Sequence, residues 1–218
     1  MKLKVCGLNN PENIAEIANL KPDFMGFIFY PKSSRYINNS ISLETLSSIS
    51  YETKKVGVFV NAAIDEIVTT FNKFKLDYVQ LHGNEDTAFC ARLFLKQIPV
   101  IKAFKVDAWF NFNQIDTFIP FCSFFLFDKT GDLPGGNGKK YSWDILKNYQ
   151  YKLPFFLSGG ISHDDVDRIA ELDNEMLYAI DINSRFELTP GIKNVEKVRS
   201  FKNKLNTIIN QNKEFAEK

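Results

Sequence analysis

Short apolar or β-branched runs alternate with segments of helical period along this chain. The runs at 3–6, 24–29, 56–60, 78–81, 100–104, 124–128, 154–158 and 178–182 predict strands. Between them, apolar positions at helical spacing predict helices over 11–20, 43–49, 63–74, 86–95, 112–118, 143–149 and 164–172, with a last one over 195–209. Asn10-Pro11 reads as an N-cap followed by proline at the first helical position, and Ser142 and Ser162 are placed to cap similarly.

Strands alternating with helices in this way require parallel strands joined by right-handed crossovers. An open doubly wound sheet obeys the same rule. The count of eight strands and the length of 218 residues favour closure into a single α/β domain over 1–209, a (β/α)8 TIM barrel. No low-complexity stretch or linker divides the chain, and 210–218 reads as a polar tail that frays. In either architecture ligands bind beyond the carboxyl ends of the strands. Cys6, Arg35, Asn61, His82, Asp128, Ser158-Gly159-Gly160 and Asp181-Ile182-Asn183-Ser184 all fall there, on one rim. Cys90 and Cys122 fall in or beside helices and read as buried packing thiols.

Composition narrows the function classes. Hydrophobic residues are 44% and charged residues 24%, with 21 Phe, enough for a sizeable core in an ordinary soluble protein. A net charge of +1 gives no long-range field, so neither nucleic acid nor an anionic membrane is expected as a partner. The first ten residues carry no continuous apolar stretch, so no signal peptide or membrane span is expected there. Three cysteines without paired spacing fit reduced thiols in the cytoplasm. Two histidines with no close carboxylate or thiol cluster predict no metal site.

The candidate chemistry lies at two strand ends. Phe124-Phe125-Leu126-Phe127 delivers Asp128 to the end of an apolar run, and Gly135-Gly136-Asn137-Gly138-Lys139-Lys140 follows. Lys2-Leu3-Lys4-Val5 delivers Cys6 in the same manner, before Gly7. Two proton-transfer groups so placed point to acid–base catalysis on a small molecule. The glycine-rich run does not fit a nucleotide phosphate loop: Leu133 stands where the first glycine belongs, and Lys140 replaces the required Ser or Thr. No G-x-G-x-x-G occurs either.

The segments Lys4-Val5-Cys6-Gly7-Leu8, 26–36 ending in Ser33-Ser34-Arg35-Tyr36, and 56–61 ending in Asn61 resemble the phosphoribosylanthranilate isomerase family. So do Val79-Gln80-Leu81-His82-Gly83, Asp128 with Gly135–Lys139, Leu157-Ser158-Gly159-Gly160, and 181–187 with Pro190-Gly191. Their order carries the resemblance, which reaches every predicted strand end but the fifth. It implies a (β/α)8 enzyme of tryptophan biosynthesis that needs no cofactor. Its substrate is a small phosphosugar–anthranilate, rearranged from aldose to ketose. The family's base matches Cys6 and its acid matches Asp128. Arg35 matches an arginine placed near the anthranilate carboxylate. The phosphate would rest on backbone amides at Gly159, Gly160, Asn183 and Ser184. The loop 129–140 is a candidate lid. By their own chemistry at a strand end, His82 reads as support for the rim ahead of proton transfer, and Gln80 and Asn61 read as positioning groups. The resemblance allows a monomer or a homodimer.

The residues set requirements for these roles. A thiol acts as a base only as thiolate, so nearby donors or positive charge must draw its pKa toward neutral. An aspartic acid that donates a proton needs surroundings that keep it protonated, and the Phe run before Asp128 offers an apolar setting. The pattern departs after Ser184, where Arg185 and Phe186 replace a small glycine and a valine. Arg185 then either adds a contact to the phosphate or points into solvent. A related isomerase of histidine biosynthesis uses aspartate at the first strand end, so Cys6 counts against it. A non-catalytic phosphate-binding barrel would lack the thiol or the acid.

Overall fold

The computed structural model describes residues 1–37, 41–129, 143–172 and 174–216. Strands β1 (Lys2–Cys6), β2 (Phe24–Ile28), β3 (Lys54–Phe59), β4 (Tyr78–Leu81), β5 (Val100–Val106), β6 (Phe124–Lys129), β7 (Phe155–Leu157) and β8 (Leu177–Ile182) pair in chain order, and β1 closes on β8. Every barrel pairing is parallel. The result is the closed α/β barrel the alternation predicts. Helices α1 (Pro11–Asn19), α2 (Leu43–Ser47), α3 (Ile64–Phe74), α4 (Thr87–Leu95), α5 (Val166–Ala170) and α6 (Val195–Ala216) lie between or after the strands. Asn10 caps α1 as expected, its side chain accepting from the Asn13 N–H at 2.8 Å with Pro11 next in the chain. The last helix runs on to Ala216, past the predicted stop at 209.

Two predicted α-helices are instead 3-10 helices, Phe112–Phe121 and Trp143–Asn148. The first has a visible cause. Phe112, Ile115, Phe118 and Phe121 recur at a spacing of three, the 3-10 period, and all four pack on the core. Pro120, which has no N–H, interrupts the donors near its end. A short antiparallel hairpin of β9 (Glu187–Thr189) and β10 (Ile192–Lys193), turning at Pro190-Gly191, was not expected. The expected cap Ser142 and the glycine-rich run 135–140 lie outside the described residues.

Alternation along each strand divides its side chains between the barrel interior and the helical layer. At the amino end of the barrel, Phe24, Tyr78, Phe124 and Tyr178 come from the even-numbered strands and form a closed ring of aromatic contacts, with centroids 4.8–6.2 Å apart. Phe156 caps that ring at 5.0 Å from Phe24 and 5.2 Å from Phe124. The plug closes the lower barrel and leaves polar side chains to the layers above it. Phe156 is fully buried, so Phe156→Ala is expected to destabilise by about 3–5 kcal/mol, read from the denaturation midpoint. A loss below about 1 kcal/mol would mean that the plug is not a packed layer.

Candidate active site

Above the aromatic plug, a buried lysine organises the interior. Lys4 lies two residues before Cys6 on β1 and therefore faces the same way. Its ammonium donates to Gln80 Oε1 at 2.9 Å and to Asp181 Oδ2 at 3.0 Å, and its charge bears on Cys6. With a carboxamide and a carboxylate oxygen as acceptors, Lys4 stays charged although it is fully buried. Burial opposes that charge, but Asp181 and Cys6 hold it, and the net shift is upward.

The Gln80 carboxamide extends this chain. Its oxygen is held by Lys4, so its nitrogen faces His82 Nδ1 at 2.9 Å. An amide nitrogen only donates, so Nδ1 must accept and the imidazole proton sits on Nε2. From there it donates to Asp128 Oδ2 at 3.1 Å. A continuous polar chain thus runs Asp181–Lys4–Gln80–His82–Asp128 across the barrel.

One cavity of about 220 Å³ lies over this chain. Cys6, Arg35, Gln80, His82, Asp128, Gly159, Gly160, Asn183 and Ser184 all line it, so the residues expected at the site are brought together. The glycines after β7 are required there by geometry. Gly159 has φ +96°, and a Cβ on it would lie 2.3 Å from the Lys129 backbone nitrogen. Gly160 has φ +67° and faces open space, where a ligand can approach the backbone. Gly26 leaves room for the thiol: a Cβ there would stand 2.6 Å from Cys6 Sγ.

Two expectations are corrected by the surroundings, and Arg35 gains a partner that the sequence did not indicate. The thiol is not drawn toward neutral by the charges around it. Burial pushes Cys6 up, Lys4 and Lys193 pull it down, Asp181 adds to the rise, and the net shift is upward. Asp128 is not enclosed by the phenylalanines before it. Phe125 and Phe127 pack in the helical layer, and the Asp128 side chain is 26% exposed in the cavity wall. Arg35 does not stand free. It donates from Nε and Nη2 to the two oxygens of Glu187, at 2.8 and 2.6 Å. Burial pushes Glu187 up, but Arg35 and Lys193 hold it down at about 2.

Lys4, Glu187 and Lys193 join the charged network around the cavity although the sequence reading gave them no place, and Asp181, placed on the rim without a role, holds Lys4. Lys193, fully buried, donates to Asn183 Oδ1 at 2.7 Å and to Glu187 Oε1 at 2.6 Å. The hairpin therefore fixes both the arginine and the loop after β8. Arg185 is exposed on that loop and outside the cavity wall, while Phe186 is buried against Phe201 at 5.0 Å. Asn61 lies on a neighbouring cleft, where its N–H donates to Glu85 at 2.8 Å. Cys90 and Cys122 are buried away from the cavity. Among the described residues, no three His, Cys, Asp or Glu side chains are grouped to hold a metal, and no helix is long and apolar enough to cross a membrane.

These charges predict how Cys6 reacts. Alkylation of Cys6 by iodoacetamide, followed by mass mapping, is expected to accelerate with pH through an inflection above the ordinary thiol range. Lys4→Met is expected to move that inflection further up, because it removes a cation and leaves Asp181 unopposed. An unchanged inflection would mean that Lys4 does not act on the thiol.

Comparison with known proteins agrees with the geometry. The family profile described as PRAI, N-(5'phosphoribosyl)anthranilate (PRA) isomerase, matches residues 3–204. The N-(5'-phosphoribosyl)anthranilate isomerase of Parabacteroides distasonis is 38% identical over 202 residues, covering 92% of this chain and 91% of that protein. The crystal structure of phosphoribosyl anthranilate isomerase from Thermotoga maritima superposes with a TM-score of 0.83 at 28% identity, covering 95% of this chain and 99% of the other. Another solved phosphoribosyl anthranilate isomerase, in complex with reduced 1-(o-carboxyphenylamino)-1-deoxyribulose 5-phosphate, gives a TM-score of 0.82 at 26% identity over 95% and 99% of the two chains. With a fold match and a sequence match that both extend over nearly the whole length, this chain belongs to the N-(5'-phosphoribosyl)anthranilate isomerase family.

Proposed function

We propose that this chain isomerises N-(5'-phosphoribosyl)anthranilate to 1-(2-carboxyphenylamino)-1-deoxyribulose 5-phosphate, in tryptophan biosynthesis, with Asp128 as acid and Cys6 as base. The observation that carries the reading is that Cys6 and Asp128 share one cavity with the glycine turn after β7. Asp128 protonates the furanose ring oxygen, and the ring opens to a protonated Schiff base. Cys6, as thiolate, then removes the proton from C2', and the C2'–H electrons form the C1'=C2' bond of the enolamine. Tautomerisation of the enolamine gives the ketose. The proton that Asp128 loses is matched by the one Cys6 gains, so the protein changes its proton distribution and not its total.

His82 assists without exchanging a proton. Its Nε2–H stabilises the carboxylate that remains at Asp128 and leaves Oδ1 to carry the proton to the substrate. Lys4 and Lys193 stabilise the thiolate form of Cys6 by charge. The backbone of Gly159, Gly160, Asn183 and Ser184 takes the phosphate. Arg35, oriented by Glu187, offers its remaining edge to the anthranilate carboxylate.

A genetic test is direct. Expression of this chain in a bacterium lacking its own isomerase of this step is expected to restore growth without tryptophan. Abundant folded protein and no growth would count against the substrate.

A further inference from the structure

Outside the wall of the catalytic cavity, β5 carries another buried cation. Lys102 and Glu85 form an ion pair at 2.9 Å, with 3% and 2% of their side chains exposed. Taking both charges out of water is costly, and apolar residues of similar volume often serve stability as well, so the pair calls for another explanation. Its hydrogen bonds supply one. Besides Glu85, Lys102 Nζ donates to the carbonyls of Leu81 and Gly83, at 3.4 and 2.9 Å, the residues before and after His82. Glu85 accepts from the Gly83 N–H at 2.9 Å and, with its other oxygen, from the Asn61 N–H at 2.8 Å. The Asn61 side chain accepts from the Asn84 N–H at 2.7 Å, and the His82 N–H donates to the Phe59 carbonyl at 2.8 Å.

The main chain on each side of His82 is therefore clamped, from β3 and from β5. His82 is the residue whose Nε2–H holds Asp128. A reacting group must be kept within about 0.5 Å of its working geometry, and a loop left to itself does not provide that. Resting on the function proposed above, we infer that Lys102 and Glu85 are positioning residues for the reaction. Together they fix the backbone of His82, and through its imidazole they aim the Asp128 acid. Neither side chain lines the cavity over the polar chain, so neither touches the reacting atoms.

The test combines Lys102→Met with Glu85→Gln, which removes both charges at once and keeps an acceptor for the Gly83 N–H. Against wild type, kcat is expected to fall about three- to tenfold, no more than on loss of His82 itself, while the reduced product analogue binds within about twofold. In a His82→Gln background the same two substitutions should cost less than about twofold, because the residue they act through is gone. The imidazole gives a readout that needs no turnover. His82 and His163 are the two histidines, so their ring nitrogen resonances are readily told apart. His82 is expected as the Nε2–H tautomer in wild type and as a mixture of tautomers in the variant. No loss of kcat, an equal loss in both backgrounds, or an unchanged tautomer would overturn the inference and reduce the pair to a brace of the rim. Wild type without turnover would instead strike the isomerase reading, and the tautomers would still decide the clamp. Should the variant not fold, Lys102→Met with Glu85→Leu replaces it under the same expectations, since apolar residues often substitute for a buried pair without loss of stability.

Discussion

Cys6→Ser is expected to lower kcat/KM by roughly a hundred- to ten-thousandfold, the range for loss of a positioned base, with the melting temperature nearly unchanged. A serine hydroxyl, smaller than the thiol, fits beside Gly26 but does not ionise near neutral pH, so Lys4 and Lys193 have no thiolate to stabilise. The loss should appear in kcat and not in affinity. The reduced product analogue needs no proton transfer and should bind the variant about as well as wild type. Retention of most activity would remove Cys6 as the base.

Asp128→Asn is expected to cost a similar factor, on the order of a hundred- to ten-thousandfold in kcat. The carboxamide keeps an oxygen for the His82 Nε2–H and so preserves the polar chain from Asp181, but it has no acidic proton for the ring oxygen. His82→Gln should be milder. The carboxamide can keep an N–H donor toward Asp128 and no transferred proton is removed, so a loss of about tenfold or less in kcat is expected. A loss as large as that of Asp128→Asn would move the acid role to the histidine.

The architecture was legible because each barrel strand is a short apolar run with punctuation on both sides. The strand-end rule then places Cys6, Asp128 and the glycines on one rim. Residues within the strands were harder. Lys4 reads as a surface charge in a short strand, and only its spacing of two from Cys6 marks it as inward-facing. Asp181 was placed on the rim, but its pairing with Lys4 depends on the closure of β8 onto β1, which strand alternation alone does not specify. Lys193 and Glu187 meet through a hairpin whose signal was Pro190-Gly191 between two very short strands. The Phe run before Asp128 misled for the opposite reason. Alternation turns Phe125 and Phe127 toward the helices, so the neighbours of Asp128 in sequence are not its neighbours in space. The spacing of three from Phe112 to Phe121 was present in the sequence, and it marks a 3-10 helix where a helical period of 3.6 was expected.

The central claim is that this cavity performs an acid–base isomerisation of phosphoribosylanthranilate. The most direct measurement is the turnover of freshly generated phosphoribosylanthranilate, followed by the loss of anthranilate-type fluorescence, with wild type beside Asp128→Asn. The account predicts rapid loss with wild type and a rate near the uncatalysed background with the variant, both proteins giving the same melting profile. Folded wild type no faster than background, or a variant that keeps most of the wild-type rate, would contradict it.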